Sequence, residues 1–380
     1  IPGIRVKAWR DMFAANGWQL VDAKYGEKLQ AAFAQPKGEI LRNAIDEMSN
    51  GMYQRLLRVD PAVLREWLPK TSRYPKDMTQ LIGSWNDNEL QDIIRNLGGH
   101  DFNTLREALF QTTLTSGPSV IFAYTLKGWM LPSIGDPQNH SVVLSSEQME
   151  QLRGELGVPV EDEDARFPET SEAGRLCVHI SEMLQSGMPP KREPLDLTIP
   201  KSLDRHYKGT LSTQQSYGLI LTEISRSVPE VSERIVTVSP DVASSTNLGG
   251  WINKVGVWSL GKTEDLPKEM VPRALNWKEL STGQHIELGI SENNLFMMLG
   301  QLGLSQEIHG EMVFPIGTLY DPFIRRGLDA LFYSAYTGGK FLVSGTPSGV
   351  TLAPEGGQHQ SIMTPGIGTQ FPSMAYYEPC

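Results

Sequence analysis

Apolar residues in the first hundred positions recur every three or four residues, the spacing that gives an α-helix one apolar face. The stretches AWRDMFAANGW, EKLQAAFAQ and GEILRNAIDEMSNGMYQRLLR show this pattern. After the turn GGHD, Asp101 is predicted to cap a further helix, FNTLREALFQT. The pattern changes at residues 119–124 (SVIFAY), a continuous apolar run that is typical of a parallel strand buried on both faces.

The rest of the chain alternates between helix and strand patterns. Residues 126–140 (LKGWMLPSIGDPQNH) are rich in glycine and proline and are predicted to be a loop, and Ser145 with Gln148 is predicted to open a helix through a capping box. Beyond them the spacing predicts helices over residues 213–228, 292–304 and 323–336 and strands over residues 235–238, 311–320 and 340–344. This alternation predicts an α/β fold with mostly parallel sheets flanked by helices.

A proline-rich stretch separates the two halves of this pattern. Residues 187–200 (GMPPKREPLDLTIP) contain four prolines, which end helices and keep a chain extended. We therefore predict a first domain over residues 1–186, a linker over residues 187–204 and a second domain over residues 205–380.

The composition is that of an ordinary globular protein, with 380 residues, 39% hydrophobic and 21% charged. A net charge of −10 argues against non-specific nucleic-acid binding and suits small-molecule chemistry. The two cysteines, Cys177 and Cys380, exclude a disulfide framework or a Cys-based zinc site and fit a reducing cytosol. No apolar run is long enough to cross a bilayer, so we expect a cytoplasmic protein with neither a membrane nor a nucleic-acid partner.

The segment HIELGISENNLFMMLG, residues 285–300, carries the strongest chemical signal. It places Glu292 after a Gly-Ile-Ser turn, where an apolar helix is predicted to begin. Burial disfavours the charged form of a carboxyl group, so such a residue can hold or share a proton. Spacing alone favours the commoner alternative, a carboxylate in the first turn that simply interacts with the helix dipole.

Five further residues are candidates for a site. Tyr320 and Phe323 are three positions apart and can present one apolar face to a flat ring, or can be ordinary core aromatics. Asp241 follows a predicted strand, where it can also form an Asx-turn. His140 closes the glycine- and proline-rich loop, and His359 lies in the glycine-rich segment TLAPEGGQHQS; loop histidines are more often plain surface residues.

The motifs DMFAANGWQLVDAKYGEKL, IIRNLGGHD, SVIFAYTLKGW, HIELGISENN and PEGGQHQ occur together in a defined order. In that order the chain resembles the thiamine-diphosphate-dependent transketolase-like superfamily, and within it the decarboxylase (first) component of homodimeric-type pyruvate dehydrogenases. The resemblance implies two thiamine-diphosphate-binding-fold domains. Residues 1–186 would be the C-terminal part of the diphosphate-binding domain, incomplete at its N-terminus, and residues 205–380 a pyrimidine-binding domain cut near its end.

The resemblance also implies roles for residues of the second domain. Glu292 would hydrogen-bond a ring nitrogen of the cofactor's aminopyrimidine, on which Tyr320 and Phe323 would stack. Asp241 would lie near the thiazolium and the substrate. Homodimeric pyruvate dehydrogenases tend to carry a second acid at the next position, where this chain has Val242.

For the histidines, the resemblance implies that His140 and His359 reach the substrate or the reacted cofactor, with Glu355 as the acid of the His359 segment. His100 and His285 are expected to be structural. The Mg²⁺ that binds the diphosphate would be held by a Gly-Asp-Gly segment and an asparagine, which the chain does not contain. Because the chain starts at Ile-Pro and stops after SMAYYEP, a strand-like stretch, we expect an internal fragment with the metal ligands upstream of its first residue.

The implied activity is decarboxylation of a 2-oxo acid, pyruvate first, with reductive acyl transfer to a lipoyl group of a partner acyltransferase in a bacterial multienzyme complex. In a homodimer, Glu292 of one chain would work with His140 of the other. Two alternatives remain open. One is transketolase-type ketol transfer between sugar phosphates, for which Arg325 and Arg326 are candidate phosphate ligands. The other is an inactive fragment or structural piece of such an enzyme.

Overall fold

The computed structural model of the protein divides into two compact units, Ile1–Arg166 and Phe167–Cys380. It describes residues 5–161, 164–187, 197–203, 206–240, 243, 245–261 and 277–379. Much of the predicted linker, residues 187–204, lies outside the described residues, so the predicted domain boundaries stay a prediction. The predicted α/β class is confirmed in both units, each of which contains a parallel sheet and helices.

The first unit is mostly helical, as its apolar spacing predicts. Its helices are α1 (Val6–Ala15), α2 (Glu27–Phe33), α3 (Gly38–Glu47), α4 (Asn50–Arg58), α5 (Pro61–Trp67), α6 (Pro75–Ile82), α7 (Asp87–Arg95), α8 (Phe102–Thr112) and α9 (Ser146–Leu156), with 3-10 turns at Leu68–Thr71 and Gly98–His100. Their apolar faces meet in one core, where Leu29, Leu57, Met78 and Leu90 are fully buried.

Two predicted helix starts of this unit are confirmed. The Asp101 carboxylate accepts a hydrogen bond from the Thr104 N–H at 2.9 Å and so caps α8. Ser145 and Gln148 form the reciprocal capping box that begins α9. These side chains satisfy backbone N–H groups that have no partner inside the helix.

The sheet of the first unit pairs β1 (Gln19–Ala23) with β2 (Ser119–Ala123) in parallel. The strand predicted at residues 119–124 is confirmed, but its predicted burial on both faces is wrong. Its first four residues are half-buried and Ala123 is exposed. In the described part of the chain this sheet consists of two strands. Strand β2 therefore has β1 as its neighbour on one side, and its residues stay partly accessible to solvent. β1 is short and mixes Leu20 and Val21 with polar neighbours, and the sequence pattern did not predict it.

The second unit has three helical regions that the spacing predicted, near residues 213–228, 292–304 and 323–336, and further helices that it did not predict. The helices of this unit are α10 (Glu172–Gly187), α11 (Thr213–Ser227), α12 (Pro229–Ser232), α13 (Gly249–Val255), α14 (Glu292–Leu302), α15 (Ser305–His309), α16 (Leu328–Tyr336) and α17 (Thr364–Gln370), with 3-10 turns at Asp321–Gly327, Ala353–Glu355 and Gly357–His359. The single helix predicted at residues 323–336 is instead a 3-10 segment followed by α16. At their junction Gly327 lies so close to α14 that a Cβ would be 2.5 Å from the Phe296 ring.

Six parallel strands form the sheet of the second unit. They are β3 (Ile235–Ser239), β4 (Val257–Trp258), β5 (Glu279–Leu280), β6 (His285–Glu287), β7 (Phe314–Leu319) and β8 (Leu342–Gly345). Their spatial order is β5-β4-β6-β3-β7-β8. The three strands predicted here are confirmed as β3, β7 and β8, whereas β4, β5 and β6 are too short to give a pattern of their own.

Helices cover both faces of this sheet. On one face Trp251 and Ile252 of α13 pack in a core with Ile235. On the other face Leu295 and Phe296 of α14 pack in a core with Leu319 and other buried residues. This two-sided burial is why β3 and β7 are buried at nearly every position instead of at alternate ones. No helix among the described residues is long and apolar enough to span a membrane.

The buried face of α14 gives a stability prediction. Phe296 is fully buried, so Phe296→Ala should leave a cavity and lower the free energy of unfolding by about 3–5 kcal/mol. The neighbouring Met297 is 55% exposed, so Met297→Ala should change it by only about 0.5 kcal/mol. Urea denaturation followed by circular dichroism measures both, and equal effects would contradict this packing.

Candidate functional site

Three of the predicted site residues lie at one edge of the second unit's sheet. Parallel strands end at the same edge, and there the chain leaves β6 toward Glu292, β7 into Tyr320 and β8 toward His359. Ligand sites of parallel α/β sheets lie at this carboxyl edge. The sheet topology therefore brings together residues that are far apart in the sequence.

Glu292 is the first residue of α14 and is only 7% exposed. Its Oε1 accepts a hydrogen bond from Nη1 of Arg326 at 3.1 Å. The positive end of the helix dipole and the guanidinium both favour a negative charge at this buried position. The sequence named Arg326 as a phosphate candidate and did not predict this ion pair.

Phe323 lies beneath the same guanidinium, with the Arg326 Cζ 3.8 Å from its ring centroid. The Phe323 centroid is 5.9 Å from that of Tyr320 and 5.5 Å from that of His359. Tyr320 and His359 are themselves 5.9 Å apart. The three rings therefore form one cluster, hereafter the ring cluster, whose Phe323 face contacts the same guanidinium as the Glu292 carboxylate.

His359 is the third ring of this cluster, and one of its two ring nitrogens is not hydrogen-bonded. Its side chain is 18% exposed, and its Nε2 lies 3.8 Å from Oε2 of Glu355. Its Nδ1 is buried and has no hydrogen-bond partner among the described residues. Buried polar atoms are almost always hydrogen-bonded, so an unpartnered His359 nitrogen beside the two rings of Tyr320 and Phe323 indicates a place for a ligand or water.

Asp321, which directly follows Tyr320 of the ring cluster, is buried, and the sequence did not single it out as a site residue. It is 4% exposed, and burial raises the pKa of its carboxyl group, against the lowering effect of hydrogen bonds from Ser361 and Thr364. The Thr364 hydroxyl also donates to the Asp321 carbonyl at 3.4 Å. These bonds tie the segment after His359 to the end of β7. An Asp-Pro pair directly after a buried strand was the available signal.

Asp241 lies outside the described residues and its role stays a prediction. The strand before it, β3, ends at the fully buried Ser239, whose register partner is Glu287 of β6. His285, expected to be structural, is completely buried. Its Nδ1 is 2.8 Å from the Thr237 hydroxyl and its Nε2 is 3.2 Å from Glu287.

His140 belongs to the first unit, where it is exposed with its Nδ1 2.9 Å from Nζ of Lys127. The loop that carries it is anchored by His100. The Leu126 N–H donates to Nε2 of His100 at 2.6 Å, and Trp129 stacks on the His100 ring with centroids 4.8 Å apart. His100 thus has the structural role that the sequence suggested. Among the described residues no three His, Cys, Asp or Glu side chains form a metal-binding group.

The fold of the chain is similar to that of a solved transketolase. A transketolase from Leishmania mexicana superimposes with a TM-score of 0.50 at 16% identity, over 72% of this chain and 40% of that one. At this identity the similarity shows the fold alone. It agrees with the predicted class of parallel sheets flanked by helices. No protein-family model matches the chain.

The amino-acid sequence has more specific relatives. It is 24% identical to the pyruvate dehydrogenase E1 component of Cupriavidus necator over 97% of this chain, and 25% identical to that of Pseudomonas aeruginosa over 97%. The Escherichia coli K12 E1 component is 24% identical over 96%. The resemblance predicted from the ordered motifs is confirmed by these relatives. The chain spans less than half of their length, 42–43%.

The loop anchor in the first unit gives a pH prediction. Leu126 can donate only to an unprotonated Nε2, and burial lowers the pKa of His100. The unfolded ring, with a pKa of about 6.5, then takes up protons before the folded one, so the anchor should weaken as pH falls below that value. Hydrogen exchange of residues 126–140, corrected for its intrinsic pH dependence, should show protection falling between about pH 7.5 and pH 5.5.

The control variants separate His100 from general acid effects. His100→Gln keeps an acceptor that does not titrate, so protection of the loop should no longer depend on pH. His179→Gln changes an exposed histidine of the other unit and should leave the wild-type dependence intact. Protection that stays constant with pH in the wild type would contradict the role given to His100.

Proposed function

We propose that the second unit binds the aminopyrimidine of thiamine diphosphate and that the protein is a thiamine-dependent decarboxylase of a 2-oxo acid. The observation that carries the proposal is the buried Glu292 carboxylate beside the Phe323 face. A flat heterocycle with ring nitrogens needs an apolar face to stack on and a polar group at its edge. Both are present at the sheet edge where ligands of this fold class bind.

The residues at this edge fit that heterocycle. Tyr320 and Phe323 supply the stacking surface, and Glu292 supplies a carboxylate that can share a proton with a ring nitrogen. The partnerless Nδ1 of His359 supplies one further hydrogen-bonding position beside the rings. When bound, thiamine diphosphate supplies a carbon nucleophile and an electron sink, which amino-acid side chains lack. Mg²⁺ would accompany its diphosphate, and the described residues contain no group of three His, Cys, Asp or Glu side chains that could hold it.

The chain's own residues would then orient the substrate and transfer protons. Glu292 would offer its buried Oε1, which accepts from Arg326 in this structure, to a ring nitrogen of the cofactor, at a position where a charge interaction is stronger than in solvent. His359, whose Nε2 lies 3.8 Å from Glu355, can pass a proton to or from a substrate atom that reaches the ring cluster. In the proposal Asp241 contacts the substrate side and His140 of a second copy of the chain joins the same site.

Pyruvate is the proposed substrate, with a lipoyl group on a partner acyltransferase as acceptor. The relatives support it, since they are named pyruvate dehydrogenase E1 component and match nearly the whole chain. The competing ketol transfer would need free cations for sugar phosphates. In the structure Arg326 pairs with Glu292, and Arg325 donates to the Pro322 carbonyl at 3.2 Å. The names of the relatives, more than the two arginines, therefore support the decarboxylase.

Replacing the carboxylate tests the proposal directly. Glu292→Gln keeps the side-chain volume but cannot share a proton, so pyruvate decarboxylation should fall by about 10²–10⁴-fold. Isotope exchange at the reactive carbon of bound thiamine diphosphate should fall with it. Carbon dioxide release and NMR measure the two rates in the intact protein.

The matched control is Glu307→Gln, which removes an exposed carboxylate paired with Lys340 in the same unit. It should leave both rates within a factor of about two of wild type, since surface changes rarely perturb a site. If Glu292→Gln exchanges the proton as fast as wild type, Glu292 does not activate the cofactor and the assignment fails.

A comparison of substrates separates the candidate reactions. The wild-type protein with thiamine diphosphate and Mg²⁺ should release carbon dioxide from pyruvate and should not convert xylulose 5-phosphate with an aldose phosphate acceptor. The opposite result would establish ketol transfer. Calorimetry that shows no binding of thiamine diphosphate would instead support an inactive or structural role for the chain.

A further inference from the structure

The Arg326 side chain lies where the proposed function places the cofactor ring. Its guanidinium stacks on Phe323 at 3.8 Å and donates to Glu292 at 3.1 Å. The aminopyrimidine would have to stack on the same ring and bond the same carboxylate. A separation of 3.8 Å is van der Waals contact, so no second flat group fits between guanidinium and ring.

The guanidinium also resembles the aminopyrimidine chemically. It is planar and delocalised, presents N–H donors in its plane and stacks on aromatic faces. An aminopyrimidine is likewise flat and can donate an N–H from its edge. The two groups therefore satisfy the same pair of partners, one stacking face and one carboxylate oxygen, and exclude each other.

Arg326 is held loosely enough to exchange. Its side chain is 52% exposed, whereas that of Glu292 is 8% exposed. It lies in the 3-10 segment before α16, at the outer side of the site. Water can therefore solvate the guanidinium when the Arg326 side chain moves away from the site. The Glu292 carboxylate stays buried and then needs another hydrogen-bond donor.

We propose that Arg326 is a built-in placeholder, a guanidinium that covers the aminopyrimidine position and leaves it when the cofactor ring enters. This inference rests on the proposed function. It explains why a buried carboxylate is tolerated before a ligand binds, because the guanidinium compensates its charge. It also means that part of the cofactor's binding free energy is used to displace the side chain, so Arg326 sets the affinity.

Removing the placeholder should strengthen binding of the ring. If the guanidinium covers the site in about nine of ten molecules, Arg326→Ala should raise the affinity for an aminopyrimidine about tenfold. The probe is 4-amino-5-hydroxymethyl-2-methylpyrimidine, which is uncharged and lacks the diphosphate, measured by calorimetry on the 380-residue chain. Arg326→Lys keeps the positive charge but lacks the planar guanidinium, so it should also raise the affinity for the probe. This variant replaces Arg326→Ala in the test if the alanine variant folds poorly.

Arg325→Ala is the matched control, because Arg325 is the adjacent cation and has no contact with Glu292 or the Phe323 face in the structure. It should leave the affinity unchanged. Guanidinium chloride at millimolar concentration should compete with the probe in Arg326→Ala, by refilling the position, and should have much less effect on wild type. A purely structural arginine would show no such competition.

The outcomes distinguish the placeholder role of Arg326 from the proposed binding of the aminopyrimidine. If Arg326→Ala leaves the affinity unchanged or lowers it, while wild type binds the probe and Glu292→Ala does not, Arg326 is no placeholder but the pyrimidine site stands. If neither wild type nor any Arg326 variant binds the probe, both proposals are wrong.

Discussion

Parallel pairing of β6, β3, β7 and β8 is the constraint on which the candidate site depends. Parallel strands must return by a crossover, so every strand in this sheet ends at the same edge. Glu292, Tyr320 and His359 follow three different strands, β6, β7 and β8, yet the ring cluster and the carboxylate meet at this edge. A sheet with antiparallel pairs at these positions would send one of the three segments to the opposite edge.

The packing beneath this edge keeps the polar residues in place. Phe296 and Leu299 are fully buried one and two turns into α14, which fixes the helix whose first residue is Glu292. Gly327 permits the 3-10 segment carrying Phe323 and Arg326 to approach that helix closely. The ion pair between Glu292 and Arg326 is thus a consequence of apolar packing between two elements that the sequence separates by about thirty residues.

Periodicity in the sequence predicted several of the long elements, missed the sixteen-residue helix α10, and failed on the short elements. The helices α11 and α14 and the strands β3 and β7 were visible because each repeats its burial pattern several times. Strands of two or three residues, such as β4 and β6, are too short for an alternation of apolar and polar residues to repeat. Ordered motifs identified Glu292, Tyr320, Phe323 and His359, but a list of residues contains no distances. Arg326 therefore looked like a free cation, and the supporting Asp321 was not seen at all.

A carboxylate that is almost fully buried needs a donor at all times, whether or not a ligand is bound. A permanent partner deep in the protein would satisfy Glu292 but would also occupy the bond that a ligand needs. A partner that is itself half-exposed solves both problems, because the cost of releasing it is low when water can take its place. The asymmetry of exposure across this pair, more than its distance, is what distinguishes a replaceable donor from a structural one.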